Sequence, residues 1–295
     1  MCCSSVDQGK EYGILGCHVT TGLWVRLGGF RATHPATSTT VEEIEWTYIA
    51  CGHGDRVLLI LPGLLGIGEM LFEHILAFEN AYRVVVPSYP STVTNVQQLT
   101  RGIAGVLNAE HIDRVQVLGG SYGGMMAQCL VRQYPNQVDR LVLSHTGVPR
   151  PDRVAKTRSL LAILRLLPMG LLRAMLRLST RRSLEDAPKQ RAFWEAYSNE
   201  MIAQITKADL LSRYRVVIDF DLSCAFAPED LEGWPGRILI LEGDNDPVAE
   251  APAREALRAL YPQANVHTFR GSGHVASVAK LEEYDAVIGD FLGSK

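Results

Sequence analysis

Three residues of this chain have the types and settings that nucleophilic catalysis needs. Ser121 stands in Gly119-Gly120-Ser121-Tyr122-Gly123, between the apolar run Val115-Gln116-Val117-Leu118 and the helical run Met125 to Val131. A strand that turns abruptly into a helix strains its middle residue, and flanking glycines remove the Cβ atoms that would clash there. A serine so placed has its hydroxyl exposed at the rim of a sheet, with the free N–H groups of the helix behind it. A serine hydroxyl is a poor nucleophile near neutral pH and needs a base within hydrogen-bond reach, itself oriented by an acid. Among eight histidines, His274 is set apart by Gly271-Ser272-Gly273-His274-Val275, a glycine-flexed loop between the last strand and the last helix. His267 and His111 sit in or before strands and are expected to be structural or exposed.

The acid should precede the histidine in the chain and follow a neighbouring strand. Leu239-Ile240-Leu241-Glu242-Gly243 is such a strand, followed by Asp244-Asn245-Asp246-Pro247. Asp246 is preferred to Asp244, which would then cap or brace the loop. Acyl transfer also requires donors aimed at a developing oxyanion. The elbow supplies the backbone N–H of Tyr122, and Pro62-Gly63-Leu64-Leu65-Gly66 supplies a second, for which Leu64 is chosen.

These groups must be held by strands and helices in alternation. Apolar runs predict strands at 43–49, 56–61, 83–86, 115–118, 140–144, 237–242 and 265–269. Helical spacing marks 69–78, 94–109 (with Thr94 or Asn95 as cap), 252–261 and 281–292. The pattern implies a doubly wound, mainly parallel sheet covered on both faces. Residues 1–38, rich in Gly, Thr and Ser, are expected to form an irregular arm. The core is then 39–148 plus 235–295, and 149–234, helical throughout, is an inserted cap over the carboxyl ends of the strands.

Within that cap, residues 150–182 carry nine Lys or Arg against one acid, Asp152. Leu160 to Leu167 and Leu171 to Leu178 are split by Pro168-Met169-Gly170. The preferred reading is a solvated basic face whose arginine stems (Arg158, Arg165, Arg173, Arg177) cover leucines. The alternative is a lid that meets acyl chains, anionic substrates or a membrane surface.

Composition bounds the rest. The chain has 295 residues, 47% apolar and 21% charged, as in soluble proteins with a sizeable core, and its net charge of −3 offers no general attraction to nucleic acid or to an anionic membrane. No apolar run is long enough to span a membrane. The start, Met1-Cys2-Cys3-Ser4-Ser5-Val6-Asp7, lacks a basic stretch followed by an apolar one, so it is expected to be no export signal, and a plain tail rather than a lipidated one. The remaining cysteines, Cys17, Cys51, Cys129 and Cys224, show neither metal nor redox spacing, and a reducing cytoplasm is the expected home.

Ser121 in G-x-S-x-G, Asp246 in G-D-N-D-P and His274 in G-S-G-H, in that order, resemble the α/β-hydrolase superfamily over about residues 40–295. The resemblance implies nucleophile, acid and base at these positions, with no metal or organic cofactor. The chain departs from many members in having Pro62-Gly63 where they have His-Gly. Ser144-His145-Thr146-Gly147 and Leu260-Tyr261-Pro262 look somewhat like the maspardin branch, a binding protein that resembles a hydrolase without its histidine. Three functions are therefore carried: a serine hydrolase cleaving a small-molecule carboxylic ester or related acyl bond; the same triad acting on an amide or carbon–carbon bond or as an acyltransferase; and a catalytically silent binding scaffold.

Overall fold

A computed structural model describes residues 8–294 and shows one eight-stranded sheet with helices on both faces. Helix α1 (Gln8–Thr33) leads into the hairpin β1 (Thr37–Val41) and β2 (Ile44–Cys51). The hairpin turn is made by Glu42 and Glu43, both with positive φ (47° and 65°), the twist that matches two antiparallel strands. Then follow β3 (Arg56–Leu61), α2 (Phe72–Phe78), β4 (Tyr82–Ser88), α3 (Val96–Ala109), β5 (Val115–Gly120), α4 (Tyr122–Gln133) and β6 (Val138–Ser144). Four insert helices come next: α5 (Val154–Leu166), α6 (Met169–Ser183), α7 (Arg191–Gln204) and α8 (Lys207–Ser223). The chain closes with β7 (Arg237–Gly243), α9 (Ala251–Leu260), β8 (Asn265–Phe269), the short α10 (Ala276–Ala279) and α11 (Leu281–Gly293).

The strand order is β1-β2-β4-β3-β5-β6-β7-β8; β1 and β2 pair antiparallel with their neighbours and every other pair is parallel. Alternate residues of the central strands point to opposite faces. Leu59, Leu61, Val85 and Val117 join the core formed with α3, α4 and α9. Leu58, Ile60, Val84 and Leu118 join the core formed with α1, α2, α7 and α11. Because both faces are covered, these strands read as unbroken apolar runs. The order reverses at β3/β5, so a crevice opens where the carboxyl ends of those two strands diverge. No described helix is long and apolar enough to cross a membrane.

The first segment departs from the sequence expectation. Residues 1–38 are not an irregular arm where described: α1 runs from Gln8 and β1 begins at Thr37. Leu23, Leu27 and Phe30 recur at helical spacing and are buried beside Phe72 and Phe193. The Gly and Thr content masked that stripe. Arg31 then bridges Glu69 (2.6 Å) and Glu200 of α7 (2.7 Å), tying the helix to core and insert. The expectation for Met1–Asp7 lies outside the described residues.

Candidate active site

Ser121 lies between the last residue of β5 and the first of α4, with φ 52° and ψ −116°. A non-glycine residue there carries about 1–3 kcal/mol of backbone strain and persists only where its surroundings hold it. The Ser121 N–H donates to Ser144 O (2.8 Å), and the Thr146 hydroxyl donates to Ser121 O (2.8 Å). The glycines are required by close approach. A Cβ on Gly123 would lie 2.1 Å from Leu61 O, and one on Gly119 would lie 2.5 Å from Gly123 O. The first turn of α4 is thus laid directly on the end of β3.

His274, in the loop after β8, reaches back to this elbow. Its Nε2 is 3.0 Å from Ser121 Oγ, and its Nδ1 is 2.8 Å from Asp246 Oδ2. A carboxylate only accepts, so Nδ1 carries the proton and Nε2 presents a lone pair to the hydroxyl. Asp246 is buried; its other oxygen, Oδ1, accepts the N–H groups of Val248 (2.8 Å) and Ala249 (2.9 Å). Burial alone would raise this carboxyl's pKa. The hydrogen bond and charge of His274, with the two backbone donors, outweigh it and hold the pKa below the ordinary value. Asp244 serves the loop instead of the imidazole. Its Oδ1 accepts the Gly271 N–H (2.7 Å) and so braces the turn that carries His274.

Leu64 lies in the loop after β3, which abuts α4 through the Leu61 and Pro62 carbonyls beside Gly123. Among the described residues, neither the Leu64 nor the Tyr122 N–H has a hydrogen-bond acceptor. The loop is fixed by Gly66 N–H to Gly63 O (2.9 Å), Tyr89 N–H to Gly66 O (2.9 Å) and Tyr89 OH to Pro62 O (3.1 Å).

Three residues with a part in this arrangement were not singled out from sequence. Arg213 of α8 is 2% exposed and has no carboxylate partner among the described residues. Its guanidinium donates to Tyr89 O, to Pro90 O (3.1 Å) and to Ser212 Oγ (3.0 Å), lies over the Tyr89 ring and backs onto Gly66. Desolvation pulls its pKa down from the usual arginine value. Asp186 of the insert accepts Gly273 N–H (2.8 Å), next to His274. His145 is buried with Nδ1 2.9 Å from Ser144 Oγ and no partner for Nε2 among the described residues. A positive φ of 47° marks its place beyond β6. An arginine among the many of the insert, or an aspartate far along the chain, gives no local signal of its destination. Cys129 and Cys224, also separated in sequence, bring their sulfurs to 3.8 Å.

A cleft of about 680 Å³ opens on this site, lined by Met175, Leu178, Arg182, Asp186, Val248 and His274 among others. No cluster of three metal-ligand side chains includes the neighbours of Ser121 among the described residues. Among those same residues, the one cluster of metal-ligand type is His34, Cys51 and Glu79, at the opposite edge, since Cys51 pairs with Val84 near the start of β4. There His34 Nε2 meets Glu79 Oε2 at 2.6 Å as an imidazole–carboxylate pair.

Residues 51–288 match a family model described as the alpha/beta hydrolase family. The chain is 25% identical over 290 residues to a 2-hydroxy-6-oxononadienedioate/2-hydroxy-6-oxononatrienedioate hydrolase of Paraburkholderia phymatum, covering 88% of this chain and 97% of that one. Its fold is similar to that of an enol-lactonase from Burkholderia xenovorans LB400 (TM-score 0.74, 17% identity, 88% and 100% of the two chains). It is similar also to a meta-cleavage product hydrolase from Pseudomonas fluorescens IP01 (TM-score 0.62, 19% identity, 87% and 97% covered).

Proposed function

The chain belongs to the alpha/beta hydrolase family, and on that premise we propose that it is a serine hydrolase cleaving a carboxylic ester or related acyl bond. The observation that carries the reading is the relay Asp246 Oδ2 to His274 Nδ1 (2.8 Å) and His274 Nε2 to Ser121 Oγ (3.0 Å). Ser121 Oγ attacks the carbonyl carbon as its proton passes to His274 Nε2. The Leu64 and Tyr122 N–H groups receive the oxyanion. The bond to the leaving oxygen breaks as His274 returns the proton to it, releasing an alcohol. A water, deprotonated by the same imidazole, then frees the acid and restores Ser121. Asp246 holds the imidazole in the productive tautomer and stabilises its charge.

The test is turnover of p-nitrophenyl esters together with stoichiometric fluorophosphonate labelling. Ser121→Ala removes both while the fold persists. An inert Ser121 in the unaltered protein supports instead a silent binding scaffold.

A second reading keeps the relay and changes the bond. The Paraburkholderia phymatum relative is named for a keto-dicarboxylate that contains no ester, so its hydrolysis must break a carbon–carbon bond. Against transfer of that substrate to this chain, the cleft offers Arg182 but also the acids Glu185 and Asp186. That balance disfavours a dianion, and the ester reading stands first. Competing an ester with a 2-hydroxy-6-oxo dienoate in one assay separates the two.

A further inference from the structure

The insert has its own small core around Leu164, Leu172, Ile205 and Leu210, but α6 and the end of α5 leave other apolar residues outside it. In α6 only Leu172 is buried. Leu171, Met175 and Leu178 recur at i, i+4 and i+7 and are each about half exposed (48%, 49% and 52%), while Ile163 and Leu166 at the end of α5 are 52% and 85% exposed. These five are half of the large apolar side chains that stand exposed among the described residues. A helix ordinarily turns such a stripe toward protein. Here about half of each side chain stays uncovered by any described residue.

The charges around it are of one sign. Residues 153–183 contain eight Lys or Arg and no Asp or Glu, although the whole chain is at −3. Arg153 is paired with Asp221 (2.8 Å), Arg181 approaches Glu195 (3.8 Å) and Arg173 donates to Ile205 O (3.1 Å). Lys156, Arg158, Arg165, Arg177 and Arg182 are exposed and have no acidic partner among the described residues. Leu166, Leu171 and Leu178 stay exposed on the same two helices.

We propose that the α5–α6 limb docks on an anionic lipid surface and presents the site to acyl substrates dissolved there. A lipid surface is the partner that answers both features at once: fixed negative charge for the arginines and hydrocarbon just beneath for Leu166, Leu171, Met175 and Leu178. Nucleic acid would use the charge and leave the stripe in water. Met175, Leu178 and Arg182 belong to this limb and also line the cleft at His274. The docking face is therefore continuous with the cleft at His274, the way in for an acyl chain. The substrate class named here, esters with a membrane-partitioned acyl chain, rests on the hydrolase reading above; the docking itself does not.

The experiment uses the full chain carrying Ser121→Ala, so that binding is read without turnover. Sedimentation with vesicles of phosphatidylcholine plus phosphatidylglycerol should show partitioning about tenfold or more above that with phosphatidylcholine alone, and it should fall as salt is raised. Leu166→Ser with Leu171→Ser, and separately Arg158→Glu with Arg165→Glu, should each lower that partitioning about tenfold. In the Ser121 background the same pairs should leave turnover of p-nitrophenyl acetate and the melting temperature unchanged. Equal binding to neutral vesicles, absence of binding, or a dimer in light scattering that dissociates on Leu171→Ser would overturn the proposal. Docking without any esterase turnover would sink the ester reading and leave the docking surface in place.

Discussion

The imidazole of His145 stands edge-on to that of His274, ring centroids 6.0 Å apart and planes at 89°. His145 thus adjoins the relay from the β6 side, and it is held neutral. Burial first, and the charge of His274 second, push its pKa down to about 4, against a smaller opposing pull from Asp246. A neutral ring here does not compete with His274 for the Asp246 charge.

That depression has a thermodynamic sign. The unfolded chain protonates this histidine near its ordinary value of 6.5, while the folded chain resists until about 4. Stability is therefore full above the ordinary value and lost as pH falls toward 4. His145 should account for about 2 kcal/mol of lost stability between about pH 7 and pH 5. Urea unfolding of His145→Gln should show a shallower loss over that interval; an unchanged slope would remove His145 as the cause.

Gly123 and Gly120 make a paired test of the elbow. A methyl group on Gly123 collides with Leu61 O, so Gly123→Ala should cost about 1–3 kcal/mol and displace the loop at 62–66, with a large loss in kcat if the proposed oxyanion site lies there. Gly120 has open space where its Cβ would stand, and Gly120→Ala should alter stability by less than about 0.5 kcal/mol. Denaturation curves beside initial rates decide it, and equal effects would mean the close approach is not what selects glycine.

Asp246 and Asp244 should separate by kinetics. Asp246→Asn leaves the shape but favours the wrong imidazole tautomer, and kcat should fall by about 10⁴ as at equivalent relays. Asp244→Ala loses one N–H acceptor at Gly271 and should cost about 1 kcal/mol of stability with a modest rate effect. The reverse ranking would reassign the acid.

Arg213 should behave as a positioning residue. Arg213→Met strips hydrogen bonds from Tyr89 O and Pro90 O and loosens Gly66, so kcat should fall at least about tenfold with KM little changed. Arg213→Lys should not restore it, because an ammonium lacks the planar fork. Full rescue by lysine would reduce Arg213 to a charge.

Leu27→Ala should destabilise by about 2–4 kcal/mol, since Leu27 is 1% exposed in the core that α1 shares with α2 and α7. A change below about 0.5 kcal/mol in thermal or denaturant unfolding would show that α1 is not part of the cooperative core.

The sheet was legible in the chain because its central strands are buried on both faces and so read as uninterrupted Val, Leu and Ile. Ser121, Asp246 and His274 were legible because each sits in a turn whose glycines or proline mark the end of a strand. Strands bounded by ordinary residues were harder to place: β2 begins at Ile44 rather than Glu43, because Glu42 and Glu43 adopt left-handed backbone that sequence assigns to Asn or Gly. α1 was missed because its buried stripe is short, three residues among glycines and threonines. Arg213 and Asp186 could not be found at all, since only the folding back of the insert brings them to the site. Local pattern holds no record of that return.

The insert leaves the sheet after β6 and re-enters at β7, and those two strands are paired neighbours. Evolution can therefore exchange the whole segment like a cassette, altering which molecules are admitted while the proton-transfer parts stay as they are. Arg213 sets the condition on such an exchange. A transplanted segment must bring a guanidinium to Tyr89 and Gly66, or the recipient inherits a new doorway with a slack loop behind it.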